Sequence, residues 1–260
     1  GKTWDSVPIP GVSVEDLDKN ALNAFRSKAV KNSRMSKSEV DVSDEVLLKN
    51  LKLYDGNYLT RAAILLFHPD PEQYVTGAYI KIAFFAPAGT YGKNRDADII
   101  YKDDIHGPLI TQADRAMDVL YTKYFKALIS YDKLQRMETY MLPGEIIREL
   151  LLNPVNHKQY EKGTPIQISV YEDHIKIFNV GKWPESIPIG ASLYQQHESV
   201  PYNPKIADVF YRAGEIESWG RGFWKVRVEC EKINAKLPIL EKTDIGITIN
   251  SFACEKYLKI

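Results

Sequence analysis

Glu149 and Asn153 stand four residues apart in the string Arg148–Tyr160, which reads R-E-L-L-L-N-P-V-N-H-K-Q-Y. On a helix that spacing projects both side chains from one face. A carboxylate so placed can polarise a water, and an amide oxygen can hold a divalent cation beside a phosphate chain. Downstream lie Asn179-Val180-Gly181 and Gly220-Arg221-Gly222. Their glycines let backbone approach a ligand closely, so the two segments are candidates for the rest of a nucleotide pocket.

The elements that must position these residues are legible in outline. Leu142-Pro143-Gly144 marks the start of a helix that runs over Glu145–Asn153. Ile166–Tyr171 alternates as a strand, Asp173-His174 turns, and Ile175–Phe178 returns as the second strand of a hairpin. A long irregular segment follows Trp183-Pro184 and reaches Pro204, the length of a lid or binding loop. Short helices are expected at Ile206–Tyr211 and Gly222–Ile233, with a closing strand over Thr243–Phe252.

The first half is less specific. Trp4–Val14 reads as an extended lead-in, Val14 to about Val30 as a helix, and Val46–Leu53 as another. Thr60–Phe67 fits either a helix or a buried strand. Tyr79–Ala86 is expected to be a strand, Pro87–Arg95 a loop, Asp98–Tyr101 a second strand, and Pro108–Ser130 one long helix. The basic string Arg26, Lys28, Lys31, Arg34 and Lys37 reads as a solvated helix end, since Glu39, Asp41, Asp44 and Glu45 cancel its charge; the alternative is a phosphate-tracking patch.

Composition bounds the function. The 260 residues carry no net formal charge and are 44% hydrophobic, ordinary for a globular chain. The charge balance gives no argument for nucleic acid or membrane as an obligatory partner. Cys230 and Cys254 are too few and too far from paired histidines for a zinc site. His68, His106, His174 and His197 lack ligand spacing. A reducing, cytoplasmic setting is expected. The chain opens at Gly1 without a methionine and reads as a piece of a longer protein. Gly1-Lys2-Thr3 mimics the end of a P-loop, but the upstream glycine and strand are missing.

The order of these boxes resembles a known family. Arg148-Glu149, Asn153, His157, Tyr160, Gly163-Thr164-Pro165-Ile166, Asn179-Val180-Gly181 and Pro184 carry the likeness, followed by Ser199, Asn203-Pro204-Lys205-Ile206-Ala207, Phe210, Gly214-Glu215-Ile216-Glu217 and Trp219-Gly220-Arg221-Gly222. The segment Leu142–Phe252 resembles the terminal ATPase-like domain of RecG-related bacterial transcriptional regulators, which usually carry a Schlafen-type AlbA domain upstream. Leu65-Leu66-Phe67 fits the region before it. That domain is similar in turn to the fold of gyrase B, MutL, Hsp-type chaperones and histidine kinases, the GHKL or Bergerat-type α/β sandwich.

The resemblance implies an α+β chain. Residues 1–140 would form a mixed helix–strand subdomain and 141–260 the GHKL-like domain. It implies Glu149 as the general base, and Asn153 as the magnesium ligand and a nucleotide contact. Asn179 and Gly181 would sit at the adenine, with Thr248 a further candidate near the base. Gly220, Arg221 and Gly222 would lie at the phosphates, where a helix N-terminus favours anions. His157 falls with the nucleotide-binding group; the alternative is a hydrogen-bonded structural histidine. The implied cofactors are ATP and Mg2+. The implied partners are nucleotide, DNA through domains outside these residues, and a second copy of the chain.

Three positions depart from the family. Pro154 cannot donate to residue 150, and its ring biases Asn153 away from helical angles. Asn179 replaces the aspartate that reads the adenine amino group, and an amide can donate as well as accept. Gln159 stands where the family has aspartate. Together they predict weak or lost turnover. The expected function is therefore a nucleotide-sensing regulatory module, the alternatives being a fold-only pseudo-ATPase and an active ATPase tied to DNA processing.

Overall fold

Alternation of apolar and polar residues over 166–180 folds as a hairpin, and four further strands complete a sheet around it. The computed structural model describes residues 2–85, 99–185, 189–195, 201–217 and 221–259, with the side chain of Ser192 excepted. The described helices are α1 (Lys19–Lys31), α2 (Lys37–Val40), α3 (Asp44–Asn50), α4 (Arg61–Phe67), α5 (Leu109–Val119), α6 (Gly144–His157), α7 (Pro204–Arg212), α8 (Gly222–Lys232) and α9 (Glu255–Leu258). The strands are β1 (Tyr54–Asp55), β2 (Tyr58–Leu59), β3 (Ile80–Phe85), β4 (Ile99–Ile105), β5 (Leu128–Asp132), β6 (Gln135–Thr139), β7 (Ile166–Val170), β8 (His174–Val180), β9 (Ile239–Lys242) and β10 (Gly246–Phe252).

The main sheet has the order β4-β3-β7-β8-β10-β9. β3 and β7 run parallel, and every other neighbour is antiparallel. Strands from both sides of residue 140 thus share one sheet. Ile80, Ile82, Ile166, Ile168, Ile175, Ile177, Ile247 and Ile249 are buried on one face, on the side where α5 and α6 pack, with α8 against α6. The architecture is α+β, an α/β sandwich. No helix among the described residues is long and apolar enough to cross a membrane.

Thr60–Phe67 resolves as a helix. Thr60 caps it, its hydroxyl accepting from Ala63 N–H, and Ala62 through Phe67 are all buried. Two expectations fail. The helix expected over Pro108–Ser130 stops early: α5 ends at Val119, a π-helical turn spans Leu120–Tyr124, and Leu128 onward is β5. Burial of Leu120, Tyr124 and Phe125 takes the backbone out of the regular helix at that point. The helix bearing Glu149 does not end at Asn153 but continues through Pro154 to His157. Val155, Asn156 and His157 are buried and Lys158 N–H bonds Pro154 C=O at 2.8 Å, so packing overrides the proline. The loop expected at Pro87–Arg95 lies outside the described residues.

A helix cap joins the start of the chain to α7. α7 begins with Pro204, but the side chain of its neighbour Asn203 turns away, its Nδ2 donating to the carbonyls of Asn156 (3.1 Å) and Lys158 (2.7 Å). Asp5 caps α7 instead: its Oδ2 accepts from the N–H groups of Lys205 (2.8 Å) and Ile206 (3.0 Å), 200 and 201 residues away. Asp5 is fully buried, and burial raises its pKa despite these bonds and the one from Thr3. Asp5→Ala leaves one buried and one part-buried donor without an acceptor, so a loss of about 2 kcal/mol is expected. Thermal unfolding should report it as a fall of about 4 °C or more; an unchanged melting temperature would rule the cap out.

Candidate functional site

α6 carries the candidate chemistry, and its rotation is fixed by charge. Arg148 Nη1 bonds Asp114 Oδ1 of α5 at 2.9 Å and Glu215 Oε2, just after α7, at 2.5 Å. Lys28 of α1 pairs with the same two carboxylates, at 2.7 Å to Glu215. Burial raises the Asp114 pKa, but the bonds from Lys28 and Arg148 outweigh it and leave the carboxyl below its usual range. Two cations and two anions alternate in this ring, which ties α6 to α1, α5 and the end of α7. Lys28 is therefore no phosphate-tracking residue. Neither is Arg26, which holds Asp44 at 2.8 Å and the carbonyls of Val40 and Val42.

With Arg148 so anchored, Glu149 points toward α8. Its side chain is only 9% exposed, and its nearest cation, Lys225 Nζ, is 3.8 Å away. Gly222, the first residue of α8, sits against it: a Cβ there would stand 2.8 Å from Glu149 Oε2. Burial pushes the Glu149 pKa up to about 7; Glu217 adds to the rise, while Lys225 and Arg148 oppose it. A carboxyl with that pKa is suited to proton transfer near neutrality.

Asn153 lies one turn further along α6, half-buried and with no side-chain hydrogen bond among the described residues. His157 follows one turn later. It is buried beside Trp183, the ring centroids 5.9 Å apart, and its Nδ1 has no hydrogen-bond partner among the described residues. Burial lowers its pKa to about 4, which keeps the ring neutral at physiological pH.

The end of α6 meets the end of β8 and the residue after it, Asn179–Gly181. Gln159 N–H bonds Val180 C=O at 3.0 Å, and a Cβ on Gly181 would lie 3.2 Å from His157 C=O. Asn179 is 2% exposed on the helix-covered face of β8, its Nδ2 donating weakly to Val180 C=O at 3.3 Å. Gly246, opposite Val180, is required by the same corner, since a Cβ would stand 2.4 Å from Asn179 C=O. The structure therefore places Glu149, Asn153 and His157 along α6, with Gly222 against its middle and Asn179 and Gly181 at its C-terminal end.

Thr248 is not gathered. It pairs with Phe178, one position off Asn179, and side chains alternate along a strand. Its side chain therefore projects from the face opposite Asn179. Arg221 is the exposed residue preceding α8, its guanidinium 5.2 Å over the Trp224 ring. Gly220, Trp219, Ser199 and His197 lie outside the described residues. The ion-pair ring and Lys225 were not foreseen from the sequence; their partners are too remote along the chain for any spacing rule to find.

Among the described residues no group of three or more His, Cys, Asp or Glu could hold a metal by itself. Asn153, with its free amide, fits one ligand position for Mg2+, which typically takes few protein ligands and completes its shell with phosphate oxygens and water. Bound there, the ion would neutralise phosphate charge.

Residues 163–250 match the family described as "Putative ATP-dependent DNA helicase recG C-terminal", an ATPase-like domain. Glu149, Asn153 and His157 lie upstream of that match. Residues 1–73 match a domain of unknown function. The comparison with curated proteins returned no match. Among solved structures, the DIP2311 protein from Corynebacterium diphtheriae is similar in fold, with a TM-score of 0.77 at 16% identity. The alignment covers 98% of this chain and 48% of that one, so this chain spans about half the length of its structural neighbour.

Proposed function

We propose that this chain is a nucleotide-sensing module of the GHKL type, binding ATP with Mg2+, within a bacterial transcriptional regulator whose DNA contacts lie in other domains. One observation carries the reading: α6 lays Glu149 against the first residue of α8 and ends against Asn179–Gly181 at the end of β8. A nucleotide held between these would have Asn179 and Gly181 at the base and the start of α8 at the phosphates. Asn153 would face the metal, and Glu149 the attacking water. Continuation of α6 through Pro154 keeps Asn153 on the Glu149 face, so the proline does not misdirect it.

A second reading, a fold-only module that binds no nucleotide, is favoured by the seclusion of Glu149 between Gly222 and Lys225. Thermal unfolding with ATP, ADP and other nucleotides separates the two. At a hundredfold excess over Kd, a ligand stabilises by about 2.7 kcal/mol, a rise of roughly 5 °C or more. Asn153→Ala is expected to keep the shift given by ATP alone and lose the increment that magnesium adds. Absence of any shift with every nucleotide at millimolar concentration would establish the second reading.

A further inference from the structure

The hairpin β5–β6 stands apart from the core. None of its ten strand residues is buried, yet it presents Ile129 (54% exposed), Tyr131 (70%), Met137 (42%) and, at its tip, Leu134 (99%). A two-stranded hairpin alone is marginal in water, whereas three or more strands are not. Among the described strands β6 pairs only with β5, so its outer edge offers unpaired backbone groups. β6 carries no proline to block pairing.

The sequence of β6, Gln-Arg-Met-Glu-Thr, is complementary in charge to itself about Met137. We propose that β6 pairs antiparallel with β6 of a second copy of this chain, on a two-fold axis through Met137, forming a four-stranded sheet. In that register Arg136 faces the partner's Glu138, and Glu138 faces the partner's Arg136. Met137 meets the partner's Met137, and Gln135 meets the partner's Thr139. Such an isologous contact closes as a dimer.

Charge selects the register. Moving the axis to Arg136 places two arginines opposite each other, and moving it to Glu138 places two glutamates opposite; like charges so placed are destabilising. Within one copy, Arg136 and Glu138 already form an ion pair at 2.7 Å, with side chains 54% and 39% exposed. Both heads are therefore available on the same face to exchange partners. Tyr131 and Ile129 flank them across the hairpin, in register with Arg136 and Glu138. The two hairpins would thus share a continuous face of ion pairs bordered by apolar side chains.

Sedimentation equilibrium on the 260-residue chain tests this, with circular dichroism as a check on folding. The wild type is expected to dimerise. Arg136→Glu and Glu138→Arg each juxtapose like charges twice and should weaken the dimer at least about tenfold. Combining them restores complementarity and should restore the dimer. Met137→Cys should crosslink to its partner under mild oxidation, the native Cys230 and Cys254 being buried. A monomeric wild type overturns the proposal, as does a dimer indifferent to the single reversals. So does failure of the folded double variant to recover, or, should that variant misfold, failure of Met137→Cys to crosslink.

Discussion

Gly77→Ala is expected to cost at least about 3 kcal/mol of stability. Gly77 precedes β3, and Gly163 precedes β7, the strand parallel to it. The two glycines meet back to back. A Cβ on Gly77 would stand 2.3 Å from Gly163 O, 2.5 Å from Gly163 C and 3.0 Å from Thr164 N, all backbone atoms. Both residues are left-handed, Gly77 at φ +76° and Gly163 at φ +72°, so alanine adds conformational strain of about 1–3 kcal/mol. Overpacking adds about as much again. Relief by separating the strands would carry the Gly77 carbonyl away from Lys158 Nζ, which it accepts at 2.6 Å. Lys158 is fully buried, with its pKa pushed down to about 7 by burial, so losing that acceptor is costly. Gly56→Ala is the control: φ is +59°, but nothing lies within 4 Å of the added carbon, so it should lose only about 1 kcal/mol. Urea unfolding of the two variants measures the difference, and equal losses would contradict the back-to-back joint.

That joint marks the limit of what the sequence makes legible. Strand and helix types follow from pattern where one face is buried. Ile166–Val170 and His174–Val180 alternate and are strands, while Val46–Leu53 and Gly222–Ile233 are helices whose ends are shifted by up to three residues. Pattern fails where tertiary packing decides. Leu120, Phe125 and Leu128 keep helical spacing beyond Val119, but the backbone turns at a π-helical segment and enters β5. Pro154 signals a helix end that the buried turn Val155–His157 overrides. Among the candidate residues, those on α6 were legible because i, i+4 spacing is local. The face that Thr248 occupies is not legible because strand register is not local: one position separates it from the Asn179 face. The ring of Lys28, Asp114, Arg148 and Glu215 has no local signature, for Arg148 reaches 34 residues back and 67 forward.

Glu149→Gln is expected to stabilise the protein at pH 8 by about 2–3 kcal/mol and to abolish any phosphate release. The sign follows from the raised pKa. Burial lifts the folded-state value from 4.5 to about 7, so between these values the native state holds a proton that the unfolded chain has lost. Stability then falls as pH rises through that window, by roughly 1.4 kcal/mol per pH unit at most. Glutamine carries no charge and escapes the loss. The stability of the two proteins should therefore coincide near pH 4.5, diverge up to about pH 7, and stay parallel above it. Lys225 works against the shift, so Lys225→Met should move the end of the divergence to higher pH. Curves for wild type and Glu149→Gln that stay parallel throughout would mean that Glu149 ionises as it does in water. The same proton bears on function. If ATP is turned over, the rate should rise with pH to a plateau above about 7, since only the carboxylate can accept a proton from water. A group that lowers stability when charged, yet must be charged to work, trades stability against activity. Gain of stability together with loss of turnover in the one glutamine variant would place Glu149 in the catalytic step, whereas gain of stability with nucleotide binding and no turnover in either protein would leave it as a sensor residue.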